Sequence, residues 1–369
     1  MKNILVTGAY GFIGRNLCVE LQKKTDVKLL KFGSQNSEEE LAELIKVADI
    51  IIHLAGSNRP ETVEEFYEVN RNLTEQVISF SIRTNRVIPI FFASSIQALQ
   101  SGDYGESKKA AEDLLVEYNH LTGNPVSIYR LPNIFGKWAK PNYNSVVATW
   151  CHKLAAGEEV DVHDPNTIIK LAYIDDIVQL LIKGIYSIPT QEIYKEVNRV
   201  NKISLKELKK FLVEFHFNRF TLLMPSLKEE FHRQLYSTYL SYLPKNQFSY
   251  DLDMKHDDRG WLAEFLKSDS LGQIFISKTK SGVTRGNHWH HSKVEKFLVL
   301  QGEGTIKFRH IENEDIFEYP VTGEHLQVVD IPPGYTHSLV NSGNSELITL
   351  FWANEIYNKD RHDTTYLEV

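Results

Sequence analysis

The sequence predicts an α/β Rossmann-type doubly wound parallel sheet followed by a separate all-β jelly-roll barrel, and three observations predict it. The chain has 369 residues, more than one ordinary core serves, so two domains are expected. Its first half alternates short apolar runs with amphipathic stretches, the strand-helix-strand rhythm of a parallel sheet. Its last third changes to short runs rich in β-branched and aromatic residues, cut by Gly, Asn and Pro turns.

Taken in order, Ile4 to Val6, Val27 to Phe32, Asp49 to Leu54, Ile88 to Ala93 and Val126 to Leu131 read as strands. Between them Ile13, Leu17 and Leu21 recur at four-residue intervals, and Leu41, Leu44, Ile45 and Ala48 do likewise, as on one face of a helix. The first domain is expected over 1–245. A polar stretch without sustained period, 246–259, reads as a linker, and the second domain as 260–369. There Gln273 to Lys278, Lys296 to Leu300, Gly304 to Arg309, Leu326 to Ile331 and Glu346 to Trp352 read as strands.

Bulk properties exclude some functions. A net charge of -7 with no block of Lys or Arg argues against a nucleic-acid partner. No apolar stretch is long enough to cross a bilayer, so no membrane partner is expected. Cys18 and Cys151 lie in apolar, helix-like segments, which suggests a reducing compartment. The apolar run at the N-terminus is too short for a signal peptide, and a cytoplasmic location is the expectation.

Directly after the first strand comes Thr7-Gly8-Ala9-Tyr10-Gly11-Phe12-Ile13-Gly14, opening a helix. Glycines there permit a tight turn and let backbone amides approach a pyrophosphate at the helix N-terminus. An acidic residue after the second strand would hold the ribose of NAD and repel a 2′-phosphate. Leu30-Lys31-Phe32-Gly33-Ser34 has none, and with Arg15 just past the third glycine the site reads as one for NADPH.

The spacing of these glycines resembles the extended short-chain dehydrogenase/reductase (SDR) family, and His53-Leu54-Ala55-Gly56 resembles that family's next cofactor-contacting turn. Tyr104 and Lys108 are four residues apart and share a helical face. An ammonium beside a phenol favours phenolate, so a lowered tyrosine pKa is expected. Ser94-Ser95 ends the preceding strand, where a hydroxyl can polarise a carbonyl. The resemblance implies that Tyr104 moves the proton, Lys108 tunes it and holds the cofactor ribose, and Ser95 orients the substrate oxygen, with Ser94 the rival for that role. The segment from Ser95 to Tyr104 is shorter than in extended members, and Ala98-Leu99-Gln100 replaces their usual Val-Tyr-Gly. Arg130 to Gly136 and Ile168 to Asp176 resemble the segments that flank the nicotinamide and a nucleotide-sugar diphosphate. Asn133 and Lys170 are the substrate-binding candidates there.

In the second domain, Gly282, five residues, His288-Trp289-His290, four residues, Glu295, six residues and Gly302 match the first cupin motif. Pro332-Pro333-Gly334-Tyr335-Thr336-His337 with Asn341 matches most of the second, Leu326 standing where its leading glycine belongs. Side chains alternate along a strand, so His288 and His290 point to one face and His291 to the other. Glu295 and His337 complete a set of three nitrogens and one oxygen suited to Zn²⁺, Fe²⁺ or Mn²⁺.

A reductase joined to a metal cupin suggests a ketone that one half prepares and the other reduces. In a 4-keto sugar the C3 proton is acidic because its loss gives an enolate, and stabilising that oxyanion permits epimerisation. The whole chain resembles the CapF family of capsular polysaccharide enzymes. That resemblance implies a zinc-binding homodimer acting on UDP-2-acetamido-2,6-dideoxy-L-hexos-4-ulose. It implies C3 epimerisation in the cupin, C4 reduction by NADPH in the SDR half, and UDP-N-acetyl-6-deoxy-L-talosamine as product, on the route to UDP-N-acetyl-L-fucosamine. For proton transfer in the cupin, His325, Lys296, Tyr335 and Asp330 are candidates by chemistry alone. Two other readings are an iron cupin dioxygenase fused to a reductase, and an NADPH-sensing regulator with a sugar-binding cupin.

Overall fold

Alternation along the strands decides how the first sheet is covered. In chain order the elements are β1 (Lys2–Thr7), α1 (Phe12–Gln22), β2 (Val27–Phe32), α2 (Glu38–Val47), β3 (Ile50–His53), α3 (Val63–Phe66), α4 (Leu73–Arg83), β4 (Ile90–Ser95), α5 (Asp103–Thr122) and β5 (Val126–Leu131). Then come β6 (Asn133–Phe135), α6 (Val146–Ala155), β7 (Ile168–Tyr173), α7 (Ile174–Tyr186), β8 (Tyr194–Lys195), β9 (Asn201–Ser204), α8 (Leu205–Thr221) and α9 (Glu230–Leu240). Ile4, Val6, Ile50, Ile52, Phe91, Ala93 and Tyr129 pack on one face with α1 and α7, through Leu17, Leu21, Val178 and Leu181. Leu5, Ile51, Ile90, Phe92 and Ile128 pack on the other with α2, α4 and α5. Both faces are buried, as a parallel sheet requires.

The sheet order is β2-β1-β3-β4-β5-β8, every neighbouring pair parallel. Chain direction across the sheet reverses between β1 and β3, so their C-terminal ends open a crevice where ligands bind in such folds. A second sheet, β6-β7-β9, carries Asn133 and Lys170.

This structure is a computed structural model and describes residues 1–58, 62–188, 193–361 and 363–369. Two compact units divide the chain, Met1–Leu212 with Glu230–Pro244, and Val213–Glu229 with Lys245–Val369. The stretch read as a linker contains a strand, β10 (Met254–Asp257), paired antiparallel with β11 (Gly260–Ser268). Residues 213–229, read with the first domain, fall in the second unit.

The second unit continues with β12 (Gly272–Thr279), β13 (Thr284–Trp289), β14 (Glu295–Gln301), β15 (Glu303–His310), β16 (Ile316–Thr322), β17 (Val328–Ile331), β18 (Tyr335–Asn341), β19 (Leu347–Ala353) and β20 (Thr365–Tyr366). They form two antiparallel sheets, β10-β11-β12-β19-β14-β17 and β16-β15-β18-β13-β20, consistent with a jelly roll. Phe297, Val299, Ile306, Phe308, Leu339 and Phe351 fill the space between inner faces. The glycine absent at Leu326 has a counterpart three residues earlier. Gly323 passes the Leu300 carbonyl so closely that a Cβ would lie 2.6 Å from that oxygen.

Candidate functional site

A cleft of about 730 Å³ opens over the C-terminal ends of β1, β3 and β4. Gly8, Gly11, Phe12, Ile13, Gly14 and Arg15 line it, as do Leu54 and Gly56, then Ser94, Ser95, Tyr104, Lys108 and Asn133. The glycines are there for steric reasons. Gly8 has φ +66°, and a Cβ on it would lie 2.7 Å from the Ala55 nitrogen; one on Gly14 would lie 2.1 Å from the Gly8 carbonyl. No side chain fits between the turn and the helix that leaves it.

Four sequence-expected contacts do not line the cleft. Thr7 and Ala55 lie beneath it: the Thr7 hydroxyl accepts from the Ala55 N–H (3.2 Å) and bonds His53 Nδ1 (2.6 Å). Lys31 and Lys170 are not among its lining residues, and Lys170 is exposed on β7. Arg15 does line it, with its guanidinium 5.1 Å over the Trp138 ring.

Helix α5 presents Tyr104, Lys108 and Glu112 at four-residue intervals. Its close approach to β4 explains the short segment from serine to tyrosine. A single 3-10 turn, Ile96–Leu99, fills that segment, and Gly105 sits so near it that a Cβ would lie 2.3 Å from the Gln97 carbonyl. The two serines have different partners. Ser94 donates to the buried Glu112 carboxylate (2.5 Å), which also pairs with Arg130 (2.6 Å). The Ser95 hydroxyl accepts from the Gln97 N–H (3.2 Å) and lies close enough to the Tyr104 phenol to act on its pKa. The Ser94 hydroxyl is thus committed to Glu112, whereas the Ser95 hydroxyl, whose bond with Gln97 is one it accepts, keeps its proton for a group in the cleft.

The expected lowering of the tyrosine pKa is not found. Burial holds the Tyr104 phenol above its ordinary value, and nearby Tyr143 adds to this, against the lowering by Ser95. Lys108 is buried with its ammonium on the Ala93 carbonyl (2.6 Å), 4.2 Å over the Phe92 ring. Burial brings it down to about 7, and Glu112 opposes that shift.

Asn70, absent from the sequence reading, ties the cleft floor together. It lies in a π-helical turn, Tyr67–Asn72; its amide donates to the Ser57 carbonyl (2.9 Å) and the Ser107 hydroxyl (3.0 Å), while its oxygen accepts from the Ser57 N–H (3.0 Å). Such bulges often mark functional positions, but a lone Asn in a helix-like stretch gives no sequence signal. Behind it, Thr74 donates to the Asn70 carbonyl (2.7 Å) and so accepts from His53 Nε2 (3.0 Å), leaving Nδ1 to accept from Thr7. Burial, with the charge of Lys108, brings His53 down to about 3.

In the second unit the four expected ligands converge, with one donor atom each from His288, His290, Glu295 and His337 all within 4.8 Å of one another. A β-bulge between Gly286 and His288 re-aims the strand, with Asn287 at φ +57° and a Gly286 Cβ barred by the His337 carbonyl at 2.7 Å. The Nε2 atoms of His290 and His337 are buried without a well-aimed hydrogen bond, each 3.4 Å from Glu295 Oε2. Orphaned imidazole nitrogens around one carboxylate oxygen fit a divalent cation. Burial alone would raise the Glu295 carboxyl; the two imidazoles, with Lys293 at 3.0 Å on Oε1, hold it well below the usual range. Burial and neighbouring His337 bring His288 down to about 4, the neutral form a ligand needs. His291 is exposed and meets the Trp289 ring edge to face, outside the set.

Of the four proton-transfer candidates, Lys296 and Asp330 pair with each other between β14 and β17, both exposed and out of phase with buried Glu295 and Ile331. His325 is exposed and bridges antiparallel to Thr322 just past the end of β16. Tyr335 alone is in phase with His337 on β18, its ring 4.9 Å from His310.

Known proteins match both parts of the chain. Residues 4–195 match the NAD dependent epimerase/dehydratase family, and 255–365 match the Polysaccharide biosynthesis C-terminal domain. A UDP-2-acetamido-2,6-beta-L-arabino-hexul-4-ose reductase of Pseudomonas aeruginosa is 42% identical over 98% of this chain and 97% of its own. The capsular polysaccharide assembling protein CapF of Staphylococcus aureus superposes with TM-score 0.93 and 47% identity, covering all of both chains. The chain belongs to the CapF family. UDP-glucuronic acid 4-epimerase of Bacillus cereus, 16% identical with TM-score 0.56, covers 65% of this chain and 98% of its own, a likeness of fold. A nicotinamide cofactor follows from family membership, and the glycine cradle fits its pyrophosphate. No helix among the described residues is long and apolar enough to cross a membrane.

Proposed function

We propose that this CapF-family chain is bifunctional: the cupin epimerises C3 of UDP-2-acetamido-2,6-dideoxy-L-hexos-4-ulose, and the SDR domain reduces C4 with NADPH. The product is UDP-N-acetyl-6-deoxy-L-talosamine, an intermediate toward UDP-N-acetyl-L-fucosamine for capsule. The chain acts as a cytoplasmic homodimer in this reading, its reductase domain in the unit Met1–Leu212 with Glu230–Pro244 and its cupin in the other. The observation that carries this reading is the Ser95-Tyr104 pair beside Lys108 in a glycine-lined cleft, in a chain that also holds a His₃Glu cluster.

Bound NADPH supplies a hydride to C4. The chain's task is to place and protonate the carbonyl oxygen. Ser95 orients it by donating a hydrogen bond. Tyr104 gives it a proton, a role that suits a phenol whose pKa is raised, because it stays loaded at neutral pH. Lys108 holds the cofactor ribose and tunes Tyr104, while Asn133, which lines the cleft, contacts the nucleotide sugar. Arg15, which lines the cleft, and the lack of an acidic residue after β2 support the choice of NADPH over NAD. In the cupin, His288, His290, Glu295 and His337 hold zinc, with Fe²⁺ or Mn²⁺ the alternatives. Held there, the ion would supply Lewis acidity toward the ketone oxygen of the bound sugar.

The test supplies the 4-keto UDP-sugar in heavy water without NADPH. Deuterium is expected at C3, lost in His290→Ala and retained in Tyr104→Phe; exchange that depends on Tyr104 would refute this division of labour. With NADPH added, a Tyr104→Phe protein that reduced at the wild-type rate would remove the reductase assignment.

A further inference from the structure

The C-terminal residues reach back to the His₃Glu cluster. Asp363 is 73 residues from His290 in sequence, yet its carbonyl bonds His290 Nδ1. Its carboxylate accepts the N–H groups of His291 (2.8 Å), Ser292 (2.7 Å) and Lys293 (2.9 Å) and the Ser292 hydroxyl (3.0 Å). Burial would raise this carboxyl, but the three backbone bonds hold it well below its ordinary value. Beyond it, β20 pairs with β13 at His288 and Trp289, Leu367 donates to the Asn287 carbonyl (3.0 Å), and Thr336, next to His337, donates to the Leu367 carbonyl. The tail therefore touches the backbone beside three of the four ligands and binds one ring directly.

We propose that Asp363 is a positioning residue for the metal, and that the C-terminal segment 363–367 straps the ligand loop into binding geometry. This rests on the metal reading given under Proposed function. An imidazole that donates from Nδ1 to a fixed carbonyl carries its lone pair on Nε2, and its ring cannot rotate. Nε2 of His290 is the atom left unpartnered in the interior. The carboxylate adds a second restraint. By closing three successive N–H groups it fixes the turn between His290 and Glu295, and thus the distance between two ligands that no regular strand connects. Lys293, inside that turn, is aimed at Glu295 Oε1 by the same bonds.

The experiment measures Zn²⁺ affinity of the full chain by competition with a chromophoric chelator, alongside melting of the metal-free and metal-loaded forms. Asp363→Ala is expected to weaken Zn²⁺ by roughly 10- to 100-fold. Its gain in melting temperature on loading should shrink correspondingly at fixed free zinc, with NADPH affinity unchanged. A purely structural role would lower both melting temperatures and leave the gain intact, which would overturn the proposal, as would wild-type zinc affinity in Asp363→Ala. Should Asp363→Ala fail to fold, Asp363→Asn, which keeps one acceptor oxygen, is expected to weaken zinc roughly three- to tenfold, and unchanged affinity there would likewise overturn it. A wild-type chain that bound no Zn²⁺, Fe²⁺ or Mn²⁺ would remove the metal reading itself, a result distinct from equal binding by wild type and variant.

Discussion

Ser94 and Ser95 are neighbours at the end of β4, and strand alternation sends their hydroxyls to different partners. Ser94 bonds a carboxylate that is fully buried and already paired with Arg130. Ser95 accepts from the Gln97 N–H and lines the cleft beside the phenol. Ser95→Ala is therefore expected to lower kcat for ketone reduction by about 10²-fold with little loss of stability. Ser94→Ala removes one of the bonds to a buried charge, about 1–3 kcal/mol, and should show chiefly as a lower melting temperature. Steady-state kinetics and thermal melts on both variants decide it, and the assignment fails if the two patterns are exchanged. His53 makes a separate prediction about pH. Folded, it stays neutral down to about 3, whereas its unfolded value is 6.5. Its neutral burial contributes nothing to pH dependence above 6.5. Below that, the unfolded chain binds a proton that the folded chain refuses, so stability falls by about 1.4 kcal/mol per pH unit as pH drops toward 3. Denaturant titrations between pH 7 and 4 should show this slope reduced in His53→Asn, whatever that variant's absolute stability. An unchanged slope would mean that His53 is not the group responsible.

At the scale of elements, the β1–α1 turn shows how little space the cofactor cradle leaves. A Cβ at position 14 would stand 2.1 Å from the Gly8 carbonyl, so Gly14→Ala must push α1 off β1 and displace the amides that face a pyrophosphate. NADPH affinity, read by fluorescence titration, is expected to drop at least about tenfold, with about 1–3 kcal/mol lost in stability. Gly157→Ala is the contrasting case. That residue has φ +78° and open space around it, so its substitution carries about 1 kcal/mol of backbone strain and should leave NADPH affinity alone. Equal effects of the two substitutions on NADPH would argue against the cradle. The same turn was legible in the sequence because its constraint is local: strand, glycines and helix are contiguous. So was the convergence of His288, His290, Glu295 and His337, whose spacing follows from strand alternation and one short turn. What sequence missed is held by residues far apart along the chain. Asp363 closes on 291–293, Glu112 on Ser94 and Arg130, and Asn70 on Ser57 and Ser107. β10 was hidden because its Met-Lys-His-Asp lies exposed and needs only a hairpin partner. Lys31 and Lys170 show the converse, where basic residues at expected positions do not line the cleft.

For the whole molecule, the question is whether two chemistries depend on each other. Each unit has its own core: two apolar layers around the parallel sheet, and the Phe297–Phe308–Phe351 interior of the jelly roll. The cleft is lined by residues of the first unit, and the His288–His290–Glu295–His337 cluster belongs to the second. A ligand stabilises the part it binds by RT ln(1 + [L]/Kd), about 2.7 kcal/mol at a hundredfold excess over Kd. Chelation should therefore lower the unfolding transition of the jelly roll alone, and NADPH should raise that of the parallel-sheet unit alone. Calorimetry of the full chain with each ligand in turn separates the two. The catalytic consequence is sharper. Given the ketone already epimerised at C3, a chelated chain should oxidise NADPH at close to the untreated rate, since Ser95, Tyr104 and Lys108 need no metal. Given the unepimerised ketone, the same chain should form none of the talosamine product, and zinc restored to it should bring that product back. If chelation instead abolishes NADPH oxidation with both ketones, the reductase depends on the metal unit, and independent action of the two sites is wrong.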